Sequence, residues 1–141
     1  MLTLILYRVA ANPRRIVSQL DWAGYDDEPV VVLVDGKNKL ALAAATTCFE
    51  LLSHRPVTKT VGSPITPALI AQTMAGVRES AGLVLGEAGL EATAHALAGS
   101  SVGFDAGEAA ILEVEQDAWA SAFQPERSWN WQGTLTPSEA R

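Results

Sequence analysis

The sequence predicts a single-domain α/β fold with about five short, mostly parallel strands alternating with helices. Three observations carry that expectation. "PVVVLVD" (29–35) is a continuous apolar run, as in a parallel strand covered on both faces. Segments rich in β-branched residues alternate along the chain with segments rich in Leu, Ala and Glu. Several of the latter open on helix-start residues such as Thr66–Pro67.

"LTLILYRVA" (2–10) reads as the first strand and not as a signal peptide, because no basic flank precedes it and Arg8 interrupts it. A short helix follows, with Asn12 as cap and Pro13 at its first position, ending near Gly24. After the 29–35 strand, the residues from Lys39 to His54 favour a helix. A hairpin through "DGKN" is the alternative for 35–45. "VTKTVG" (57–62) is a weak strand, and Thr66 and Pro67 open the next helix. "LVL" (83–85) is a strand, and "EAGLEATAHALAG" is a helix ending at Gly99. "SVGF" (101–104) reads as a last short strand. The spacing of Asp105 and Glu108 is that of a capping box, which predicts a helix from Ala106 to Phe123. The α/β domain is therefore placed at 1–124, with 125–141 as a Trp-containing tail that packs on the domain or on a partner.

The apolar share of 48% and charged share of 18% are those of a folded chain. A net charge of −6 disfavours direct contact with nucleic acid. One cysteine, Cys48, allows no intrachain disulfide and suits a cytoplasmic setting. No apolar run approaches a membrane span. The charge is unevenly spread: residues 79–126 hold nine acidic side chains and no Lys or Arg.

That asymmetry suggests a non-catalytic binding protein of inhibitor, immunity or adaptor type. It would dock a basic protein surface through Glu87, Glu91, Glu108, Glu113 and Asp117, with Trp129 and Trp131 as further anchors. The plainer reading is a solvated acidic face that favours solubility. A second copy of the chain is another partner the sequence admits.

The alternative is a ligand-binding protein or enzyme for a phosphate-bearing or nucleotide ligand at the carboxyl ends of the strands. Asn12, Arg14 and Arg15 would meet the anion at the first helix, and Asp35 ends the strongest strand. No Gly-rich phosphate loop accompanies them, so exposed arginines and a turn aspartate are the plainer readings.

Glu115 is the one catalytic candidate. On a helix it falls within the apolar arc, between Ile111, Trp119 and Ala122. It would then be a functional acid beside a cleft or a structural partner of Arg8. If the segment is a strand, Glu113 and Glu115 simply point outward. Glu50–His54 and Glu91–His95 share helical spacing, but no third ligand supports a metal, and no cofactor is expected.

Overall fold

The computed structural model describes residues 1–24, 30–124 and 128–135. In chain order the elements are β1 (Leu2–Arg8), α1 (Arg15–Ala23), β2 (Val30–Asp35), α2 (Lys39–Leu51), β3 (Val57–Val61) and α3 (Pro67–Met74). β4 (Ala81–Gly86), α4 (Leu90–Ala98), β5 (Ala109–Val114), α5 (Trp119–Ala122) and β6 (Asn130–Leu135) complete them. The strands form one six-stranded sheet in the order β3-β2-β4-β1-β5-β6. β3, β2, β4 and β1 are mutually parallel, β5 runs antiparallel to β1, and β6 antiparallel to β5. The α/β expectation therefore stands, with a mixed sheet.

The central strands are apolar throughout because both of their faces are covered. Along β1, Leu2, Leu4 and Leu6 join one core with residues of α3, α4 and α5. Ile5 and Tyr7 join a second core with residues of α1 and α2. Alternation of side chains across the strand produces this division. Local chemistry sets the helix starts. Asn38 Oδ1 accepts the Ala41 N–H at 3.0 Å and caps α2, so 35–45 is a strand-to-helix turn and not a hairpin. Thr66 Oγ1 accepts the Leu69 N–H at 3.1 Å and caps α3, with Pro67 in its first turn.

Three expectations are corrected. The helix placed over 106–123 is strand β5 followed by the short α5. The Asp105–Glu108 pair does form: Asp105 N–H donates to Glu108 Oε1 at 2.7 Å, and Glu108 N–H to the Asp105 carbonyl at 2.9 Å. Gly107 between them adopts a left-handed φ of 84°, which turns the chain into β5 and propagates no helix. "SVGF" is not a strand, although Val102 and Phe104 are buried. The stretch read as a tail contributes β6, hydrogen-bonded to β5, so Asn130–Leu135 belongs to the sheet.

Candidate functional site at the strand carboxyl ends

The parallel strands bring their carboxyl ends to one rim of the sheet. The register sets Arg8 beside Gly86, and Val34 beside Leu85, so Arg8, Gly86 and Asp35 form a row. Strand order reverses here: β1 leads through α1 to β2 on one side, and β4 later inserts between them. A reversal of strand order of this kind marks where open α/β sheets hold ligands.

Arg8 ends β1, and its side chain turns toward α4. Nη1 donates to the Phe104 carbonyl at 2.7 Å and to Glu91 Oε2 at 3.2 Å. Nη2 donates to Glu87 Oε1 at 3.4 Å. The Arg8 side chain is 26% exposed, while the Glu87 and Glu91 side chains are 50% and 47% exposed. Glu87 lies just after β4, and Glu91 lies in the first turn of α4, where the helix dipole favours a carboxylate.

Asp35 is buried, and its Oδ1 accepts the Lys37 N–H at 2.9 Å. That is the turn role, and the carboxylate is committed to its own loop. Ile65 lies over Gly86, between Arg8 and Asp35: a Cβ on Gly86 would sit 2.6 Å from Ile65 Cδ1. Asn12 Oδ1 accepts the Arg14 N–H at 3.0 Å, one turn before α1 begins at Arg15. Arg14 is exposed, and the Arg15 guanidinium reaches the Gly107 turn. Glu108 is at the same rim, since its carbonyl accepts the Arg8 N–H at 3.0 Å.

The fold thus gathers Asn12, Arg14, Arg15, Asp35, Glu87, Glu91 and Glu108 at one rim. Glu113, Glu115 and Asp117 are elsewhere. β5 is antiparallel to β1 and pairs Val114 with Leu2, so Glu115 follows at the opposite end of the sheet. Glu115 is exposed, which corrects the expectation of an acid set in an apolar arc. It does not pair with Arg8, whose partners are Glu87 and Glu91. Glu113 accepts a long bond from the Thr3 hydroxyl at 3.5 Å. Trp129 is buried while Trp131 is 43% exposed, so the two do not form a joint anchor.

His54 follows the far end of α2, and His95 Nε2 donates to the Val102 carbonyl at 2.7 Å. α2 and α4 cover opposite faces of the sheet, so the two Glu–His pairs do not meet. Among the described residues, no three His, Cys, Asp or Glu side chains converge as a metal cage. Sequence reasoning offered Arg8 as a structural partner for Glu115 and did not count it among the ligand-binding residues; a lone cation closing the first strand was the signal for its place at the rim.

Two buried groups titrate far from their usual ranges. Burial pushes the Cys48 thiol from 9.0 up to about 12, which removes it as a nucleophile near neutral pH. Burial also pushes the Tyr7 hydroxyl from 10.0 up to about 12, outweighing the opposing Arg15 charge, while Cys48 adds to the rise. An unfolded chain loses these protons first. Stability is therefore unaffected by them below pH 9 and falls as pH rises from 9 towards 12, by about 1.4 kcal/mol per pH unit for each group in its window. Urea unfolding across that range is expected to show this decline, with a shallower slope in Cys48→Ala. An unchanged slope in that variant would remove Cys48 from the account.

No family model matches the chain, and no curated protein does. Solved structures do match in fold. A protein histidine phosphatase SixA, complexed with tungstate, aligns with a TM-score of 0.69 at 12% identity, covering 99% of this chain and 100% of that one. A protein of Nakamurella multipartitia assigned as the phosphohistidine phosphatase SixA gives 0.67 at 16% identity, with 96% of each chain covered. One of Agrobacterium tumefaciens with the same assignment gives 0.63 at 13% identity, covering 96% of this chain and 98% of that one. At these identities the likeness is one of fold. The inhibitor or adaptor reading is corrected: the matching structures are described as phosphohistidine phosphatases, and the acidic side chains that reading relied on lie at opposite ends of the sheet. No helix among the described residues is long and apolar enough to cross a membrane.

Proposed function

We propose that the chain binds a phosphate-bearing ligand at the carboxyl ends of β1 and β4, with Arg8 meeting the phosphate. The observation that carries this reading is the position of Arg8. Its side chain is partly buried at the point where the strand order of the sheet reverses, and its guanidinium donates to the Phe104 carbonyl at 2.7 Å. A guanidinium in that place presents a planar donor set suited to a tetrahedral oxyanion. Support comes from a neighbour in fold that was captured with tungstate, an oxyanion of the same shape.

The glutamates are part of the reading. Glu87 and Glu91 are roughly half exposed, and ion pairs of that kind contribute about 0–1 kcal/mol, so breaking the pairs with Arg8 is itself a small loss. They are also the titratable groups next to Arg8, and any proton transfer to or from a bound phosphate falls to them.

Calorimetric titration with tungstate and with a phosphate monoester tests the reading. Wild-type protein is expected to bind both, and Arg8→Ala to weaken each by about tenfold to a hundredfold, the worth of a hydrogen bond to a charged group. Undiminished binding in Arg8→Ala, or no binding by the wild type, refutes it.

A further inference from the structure

The charges around Arg8 narrow the class of ligand. One cation is contacted by two carboxylates, Glu87 at 3.4 Å and Glu91 at 3.2 Å, so the cluster carries one negative charge in excess. Nη1 is occupied by the Phe104 carbonyl as well, which fixes the guanidinium and leaves the carboxylate side as the face a ligand can take. The other cations at this rim do not correct the balance. Arg15 turns to the Gly107 turn and lies near Tyr7, whose side chain joins the core on the opposite face. Arg14 is exposed on the loop before α1, and Asp105 and Glu108 add further negative charge nearby.

A bare phosphate that displaces the two carboxylates leaves them close by and unpaired, because Glu87 and Glu91 are tethered within one turn at the start of α4. Like charges then face each other across the site. A positive group on the ligand relieves that conflict by taking the partner that Arg8 gave up.

Building on the reading of Arg8 as the phosphate's partner, we propose that the site selects zwitterionic ligands, in which a protonated nitrogen lies a few bonds from the phosphate. Arg8 takes the phosphate, and Glu87 and Glu91 take the nitrogen. The two glutamates are specificity-determining residues and make repulsion of plain phosphates part of recognition.

The test compares phosphoethanolamine with ethyl phosphate, which differ by the ammonium group, titrated into the wild type, Glu87→Gln/Glu91→Gln and Arg8→Ala. The substituted glutamates are exposed, so the fold is not at risk. The wild type is expected to bind phosphoethanolamine at least about tenfold more tightly, a difference of about 1.4 kcal/mol. The double glutamine variant is expected to lose that preference and to bind ethyl phosphate more tightly than the wild type does. Equal binding of the two ligands by the wild type, or a preference that survives in the double variant, overturns the zwitterion inference alone. Binding of neither ligand by the wild type, or binding indifferent to Arg8→Ala, overturns the phosphate site and the inference with it.

Discussion

Trp129→Ala is expected to destabilise the protein by about 3–5 kcal/mol, the range for truncating a buried aromatic residue. Trp129 is 2% exposed although it sits on the segment just before β6. Its ring lies 6.1 Å from that of Trp119 and 5.3 Å from that of Phe123. Both of its N–H groups are used: the backbone N–H donates to Leu97 at 3.0 Å, and Nε1 to the Ala122 carbonyl at 3.2 Å. The truncation therefore opens a cavity and orphans a carbonyl at once. Trp129→Phe keeps the stacking and loses the hydrogen bond, so it is expected to cost about 1–3 kcal/mol. Urea unfolding measures both. A loss below about 1 kcal/mol for the alanine variant would mean that this segment is not part of the core.

Gly89→Ala is expected to disturb both stability and the site. Gly89 precedes α4 at φ 84°, a conformation that costs an L-residue about 1–2 kcal/mol. A Cβ there would lie 2.2 Å from the Ile65 carbonyl oxygen, a backbone atom that cannot rotate away. That carbonyl accepts the Thr93 hydroxyl at 3.1 Å, and the Ile65 N–H donates to Ala88 at 2.9 Å. The loop carrying Ile65 is thereby fastened to the turn that carries Glu87. A total loss of about 3 kcal/mol or more is expected, together with weaker ligand binding. An alanine variant as stable as the wild type would show that the two loops are not in this contact.

The elements that the sequence predicted well are those whose signals are local. α2 begins at its Asn38 cap, α3 at Thr66–Pro67, and α4 ends at Gly99, each set by chemistry within a few residues. β5 was misread because Ala109–Val114 is apolar at all but one position, and such a run has no period to separate strand from helix. The capping-box spacing at 105–108 then tipped the reading the wrong way, since the same reciprocal bonds also close a turn. β6, "NWQGTL", lacks alternation and owes its conformation to pairing with β5.

The site follows the same logic. The rule that ligands sit at strand carboxyl ends drew attention to Asn12, Arg14, Arg15 and Asp35, and the structure has these four at the same rim as Arg8. The contacts of Arg8 with Glu87 and Glu91 span 79 and 83 residues and depend on β4 inserting beside β1. No local pattern encodes that insertion. The charge count was correct, but the antiparallel course of β5 carries Glu113 and Glu115 away from Glu87 and Glu91, which a linear count cannot show.

The most direct test of the central claim is a crystal structure of the protein soaked in tungstate at low ionic strength. The anion is expected against the Arg8 guanidinium, with the Glu87 and Glu91 carboxylates turned aside and the Phe104 contact intact. Tungstate held instead by Arg14 and Arg15, with the Arg8–glutamate pairs unbroken, would contradict it.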